Sequence, residues 1–119
     1  MNKVWLLAVF VIFVSACAVQ PEQVAATGPA SVLMAKADEE IAAGDNARAM
    51  ALLERAVRIE PNNGHAWLRL AKQYMVEGNL SKAEQFARRA LQLSGSDATL
   101  ERESQELIKQ LQKRQQEQS

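Results

Sequence analysis

Turning over a substrate requires nucleophiles, bases or metal ligands brought together, and this chain carries few of them. Its histidine and its cysteine are single residues, His65 and Cys17, far apart in the sequence. No CxxC pair, HExxH helix, glycine-rich phosphate loop or paired-carboxylate motif occurs. The carboxylates fall mostly at expected helix starts or on expected solvent faces. The residues therefore predict a protein that is not an enzyme and holds no cofactor and no metal. Two pieces of chemistry are left: a lone thiol near the start, and one helix face mixing apolar and basic side chains.

The thiol is placed by what precedes it. Met1-Asn2-Lys3 is a positive start, Val4 to Val14 carries no polar side chain, and the small residues Ser15 and Ala16 lead to Cys17. These are the marks of a secretory signal. A membrane-spanning helix needs roughly 20 apolar residues, and this run is shorter before Gln20, Pro21 and Glu22 end it. Cleavage is the leading reading and an uncleaved anchor the alternative. In an exported protein a lone cysteine has no partner for an internal disulfide.

Val14-Ser15-Ala16-Cys17 resembles the lipobox of bacterial lipoproteins, with Val14 where leucine is commoner. The resemblance implies that residues 1–16 are removed, that the Cys17 sulfur takes a diacylglyceryl group, and that the new amino terminus is acylated with a palmitate-like chain. Each buried methylene contributes about 0.8 kcal/mol, so one chain anchors marginally and several hold firmly. Ala18 stands where enteric bacteria place aspartate to retain a lipoprotein at the inner membrane. That implies an outer-membrane location facing the periplasm.

Residues 17–30 contain Pro21, Gly28 and Pro29 among small and polar residues and show no apolar period. They read as a flexible tether, which as a random coil would hold a domain roughly 20 Å from the membrane. The chain has 14 basic and 14 acidic residues, so loss of Lys3 leaves one excess negative charge. This balance gives no footprint for nucleic acid.

From Ser31 the composition turns to alanine, leucine and charged residues, which predicts an all-α domain. Compared with itself at an offset of 34, the segment aligns Ala37 with Ala71, Gly44 with Gly78, Ala49 with Ala83, Arg55 with Arg89 and Ala56 with Ala90. Asp45 with Asn79 and Arg48 with Lys82 follow conservatively. This period marks a helical hairpin repeat. Helices are expected at about 31–43, 47–59, 64–77 and 82–93, with glycine turns at Gly44 and Gly78 and a capping box of Ser81 and Glu84 opening the fourth. Trp67, Leu70 and Tyr74 recur at i, i+3 and i+7 as one buried stripe, and Ala71, Ala83 and Ala90 allow helix axes to approach closely.

These residues resemble the tetratricopeptide repeat family. Trp67, Leu70, Ala71, Tyr74, Ala83 and Ala90 stand at its signature positions in the second copy, and Pro61 closes the first. Ala87, with Phe86 one place earlier, and Gly95 depart from the pattern, as do Lys36 and Glu40 in the first copy. An end repeat without a neighbour can show such polar residues. The resemblance implies a fragment of a right-handed α-solenoid: repeat 1 at 31–61, repeat 2 at 62–95, and a capping helix with a polar tail at 96–119. In that last segment Thr99 opens a helix with Leu100, Leu107, Ile108 and Leu111 as a narrow apolar stripe. Two repeats are fewer than the three usually needed, so a homodimer or a partner would complete the module.

A second stripe on the third helix runs through His65, Leu68, Arg69, Lys72, Met75 and Val76, away from Trp67 and Tyr74. By resemblance this stripe, with Met34, Asp38 and Ile41 of the first copy, falls on the concave face where such arrays bind ligands. The asparagines with which some relatives clamp a terminal carboxylate are missing. Two readings stay open: a groove that grips a peptide, or core packing by Leu68, Met75 and Val76 beneath a solvated Arg69 and Lys72. The function that follows is a membrane-anchored adaptor binding another protein, and the alternative is a structural subunit of a larger envelope assembly such as pilus, secretion or cell-wall machinery.

Overall fold

The computed structural model describes residues 28–119. The signal segment 1–16, the expected lipidation at Cys17 and most of the expected tether lie outside the described residues. Within them the chain forms five α-helices and no strand: α1 (Pro29–Ala42), α2 (Asn46–Ile59), α3 (Gly64–Val76), α4 (Leu80–Gln92) and α5 (Ala98–Glu117).

The helix starts show why the repeat works. The Asp45 carboxylate accepts from the Arg48 N–H and the Asn79 amide oxygen accepts from the Lys82 N–H, at positions 34 residues apart. Each satisfies a first-turn donor that the helix itself leaves unpaired. Just before them Gly44 and Gly78 turn the chain with φ of 82° and 79°, the left-handed conformation that glycine adopts without strain. The expected capping box at Ser81 is therefore corrected: Asn79 is the cap and Ser81 lies inside the first turn.

The helix α1 begins earlier than expected. Pro29 sits in its first turn, where a missing N–H costs nothing, and Ala30 is fully buried. Gly28 offers no side-chain cap, and the Glu60 carboxylate substitutes: one oxygen accepts from the Ala30 N–H at 3.1 Å, the other from the Asn63 side-chain amide at 3.1 Å. Residues 28–30 thus belong to the fold and not to the tether.

Short turns make successive helices antiparallel, and α1, α3 and α5 line up as one layer with α2 and α4 on the other side. The central α3 touches all four other helices. Leu53 and Leu70 centre one core beneath α1 and α2, and Leu111 with Ala83, Ala87 and Ala90 centres another beneath α4 and α5. Trp67, Tyr74 and Phe86 pack against both cores. The Phe86 ring lies 5.3 Å from Trp67 and 5.2 Å from Tyr74, tilted to each. Phe86 is thus the aromatic joint of the second hairpin, while Ala87 fills the close helix contact.

Trp67 and Tyr74 are half-buried, not wholly inside as the stripe predicted. Each ring keeps a polar handle at the edge: Trp67 Nε1 donates to the Pro61 carbonyl at 2.7 Å and the Tyr74 hydroxyl to Glu54 Oε1 at 2.9 Å. Burial, and then the Glu54 bond, hold the Tyr74 hydroxyl above its ordinary pKa. The fifth helix seals its stripe of Leu100, Leu107, Ile108 and Leu111 against its neighbours. Its cap is Asp97, not Thr99, and lies 34 residues after the α3 cap Asn63. The segment thus occupies the place of a third first-helix in the same register.

Candidate partner-binding groove

The face built by α1, α3 and α5 carries the residues singled out on the third helix. Asp38 and Ile41 of α1 and His65, Arg69 and Lys72 of α3 border a cleft of about 350 Å³. The two cations and the imidazole that α3 contributes are not bare. Arg69 forms an ion pair with Asp38, Lys72 Nζ reaches Glu103 Oε2 at 3.2 Å, and His65 Nε2 lies 2.8 Å from Asp97 Oδ2. Each bridge crosses from α3 to a neighbouring helix, so the polar pattern is fixed by side chains on both flanks. The Asp97 carboxyl is held below the usual carboxylate range, first by the Leu100 N–H it caps and then by His65.

The apolar members of the expected groove divide. Leu68 is 3% exposed and packs in the core under α4 and α5, and Met34 is 8% exposed in the core under α1 and α2. Leu68 lines the bottom of the cleft and Met34 does not border it; a helix packed on two sides buries a wider arc than a stripe of single-sided contact suggests. Ile41 and Val76 stay exposed and Met75 is half-buried. From the inter-repeat turns outward, the face runs from His65–Asp97 through Arg69–Asp38 and Lys72–Glu103 to the apolar Met75 and Val76. The signature residues Leu70, Ala71, Ala83 and Ala90 are buried in the cores.

Sequence reasoning missed the second wall. On the other side of α3 a larger cleft of about 600 Å³ opens toward α5, bordered by Met75, Val76, Arg102, Glu106 and Leu107. Gln73 lines both clefts, is 6% exposed, and its Oε1 has no hydrogen-bond partner. The signal was available: extending the offset of 34 beyond Leu93 pairs Asn63 with Asp97, Arg69 with Glu103 and Lys72 with Glu106, which puts α5 on the same face. No group of three or more potential metal ligands occurs among the described residues, and none of their helices is long and apolar enough to cross a membrane.

Comparison with known proteins gives the same architecture. The sequence model of the tetratricopeptide repeat family matches residues 40–100. Among solved structures, the globular C-terminal domain of P. aeruginosa LpoP is similar, at 34% sequence identity and a TM-score of 0.72, over 76% of this chain and 85% of that one. No curated protein sequence matches.

Proposed function

We propose that this chain, which belongs to the tetratricopeptide repeat family, is a membrane-anchored adaptor of the bacterial cell envelope that binds another protein on the face formed by α1, α3 and α5. The observation that carries the reading is the set of cross-helix pairs at His65, Arg69 and Lys72. Side chains already held in place lose less freedom when a partner arrives, which favours binding. The anchor rests on Val14-Ser15-Ala16-Cys17 and the outer-membrane, periplasm-facing location on Ala18. Neither nucleic acid nor a cofactor enters this reading.

Capture from membrane extracts with the full chain tests it. Reversal of Arg69 and Lys72 to glutamate loses partners that the parent retains. Swapping the first pair, Asp38→Arg with Arg69→Asp, preserves the bridge and inverts its polarity, separating recognition from stability. Undiminished capture of the same partners by the reversed chain would remove this face as the binding surface. For the anchor, Cys17→Ser is expected to move the protein from the membrane to the soluble fraction, and the parent to carry the mass of its acyl chains.

A second reading, a structural subunit of a larger envelope assembly, is favoured by Val32 and Ile59, which are exposed on the first repeat. The α5 stripe is spent on the core, so such contacts would fall on the first repeat. Recovery with neighbours in a fixed ratio supports it, and transient capture opposes it. A homodimer through the same residues raises the unfolding midpoint with concentration; a constant midpoint and monomeric sedimentation exclude it.

A further inference from the structure

Asn63-Gly64 is the one Asn-Gly step in the sequence, and the fold requires each of its residues for a different reason. Gly64 is buried at the start of α3, where a Cβ would meet Leu100 Cδ2 at 2.6 Å and Leu93 Cβ at 3.2 Å, so the packing of α3 on α5 leaves no room for a side chain. Asn63 is held by two bonds: its Oδ1 accepts from the Ala66 N–H at 3.2 Å, and its Nδ2 donates to Glu60 Oε2 at 3.1 Å. A glycine after an asparagine leaves the intervening main-chain nitrogen unshielded by any side chain. That nitrogen is then well able to attack the asparagine carboxamide, so this pair is both structurally required and chemically reactive.

The reaction needs no reagent but water. The Gly64 nitrogen gives its proton to solvent and bonds to Asn63 Cγ; the Cγ–Nδ2 bond breaks, ammonia leaves, and a five-membered succinimide ring is closed. Water then opens the ring at Cγ to give an aspartyl residue, or at the main-chain carbonyl carbon to give an isoaspartyl one with an extra methylene in the backbone. Two features of the fold hold the first step off. With ψ at 95°, Asn63 places its Cβ and the Gly64 nitrogen on nearly opposite sides of the Cα–C bond, whereas the ring needs them eclipsed. The Ala66 and Glu60 bonds also clamp both ends of the carboxamide, and Cγ reaches the Gly64 nitrogen only once they break. Ring closure therefore waits for local opening of the turn between the repeats.

We infer that Asn63 is a deamidation site gated by its bond to Glu60, and that its conversion uncouples the start of α1 from the start of α3. The intact amide lends a proton to the same carboxylate that accepts from the Ala30 N–H at 3.1 Å. Either product carries a carboxylate in its place, with no proton to donate, and sets like charges together across that contact. An aspartyl product still caps α3, since aspartate and asparagine serve equally well there; an isoaspartyl product moves the accepting oxygen away from the Ala66 N–H as well. The conversion is irreversible and does not depend on the partner-binding reading.

Incubation of the full chain in mildly alkaline buffer, native and in urea, tests it, with conversion read by mass spectrometry of the tryptic peptide 59–69, whose backbone fragments distinguish Asn63 from Asn62. The native chain is expected to convert at least about tenfold more slowly than the unfolded one. Glu60→Ala is expected to speed the native reaction about three- to tenfold, the range of one net hydrogen bond, and to leave the unfolded rate unchanged. Asn63→Asp, which supplies one product from the outset, is expected to speed hydrogen exchange at the Ala30 amide while the Ala66 amide stays protected. Equal native and unfolded rates, or a native rate that Glu60→Ala does not move, overturn the gate. Unchanged exchange at Ala30 in the Asn63→Asp chain overturns the uncoupling. If Glu60→Ala does not fold, the comparison of native with unfolded parent and the Ala30 exchange decide the matter.

Discussion

The two flanks of α3 are built from one helix and behave differently. Toward α1 and α2 it contributes Ala66 and Leu70 to a closed core, with Arg69 tied to Asp38 above it. Toward α4 and α5 it contributes Leu68 and Ala71, with Lys72 tied to Glu103, and there the larger cleft and the orphaned Gln73 lie. Neighbouring positions on one helix thus feed separate cores, and Trp67, Tyr74 and Phe86 are where the two meet. The difference teaches that one helix of a small repeat array can feed two closed cores and still border a narrower cleft toward one neighbour and a wider one toward the other.

The comparison breaks most sharply if either core is emptied. Leu70→Ala on one flank and Leu111→Ala on the other each delete a fully buried side chain and are expected to cost about 2–5 kcal/mol by denaturant unfolding. If the aromatic joint couples the cores, both unfold in one transition; separate transitions would show two independent halves. Next in size is Ser104→Ala. The Ser104 hydroxyl is fully buried without a partner, so its removal is expected to stabilise the α5 flank by about 1 kcal/mol, and a loss of stability would reveal a missed bond. Smaller still is the surface pair: Arg69→Ala is expected to change stability by no more than about 1 kcal/mol, since both side chains are substantially exposed.

The smallest effects distinguish the flanks by pH. Glu84 is held below its ordinary pKa by Arg88 first and then by Gln115 and Gln112 of α5, and Asp97 by the Leu100 N–H and His65. Depressed carboxylates stabilise the fold above their ordinary values of 4.5 and 3.8, and the contribution is lost as pH falls through the lower folded values. Acid is therefore expected to loosen the α5 flank, seen as faster amide exchange there below about pH 4. The Tyr74 hydroxyl is shifted the other way. Its contribution is present below its ordinary value of 10.0 and lost as pH rises through the raised folded value, and Tyr74→Phe is expected to flatten that alkaline loss.

Much of this fold was legible because the determinants are local. Gly44 and Gly78, Asp45 and Asn79 repeat at one spacing, and they set turns and caps that fix helix ends to within a residue or two. What escaped was tertiary. Met34 looks like a surface residue when a helix is given one buried side, and Leu68 could be read either way, but α3 and α1 are each packed from more than one direction. Ser81 satisfied a capping pattern, yet Asn79 two residues earlier reached the free N–H first. The pairing of Arg69, Lys72 and His65 could not be read from α3 alone, because their partners come from α1 and from the start and first turns of α5.

The substitute cap at Glu60 has a mechanical consequence. One carboxylate grips the beginning of α1 and the cap residue of α3 together, so tension pulling on residue 28 is delivered to the hinge between the two repeats and not to a single frayed end. A leash fastened there would drag the array as one body.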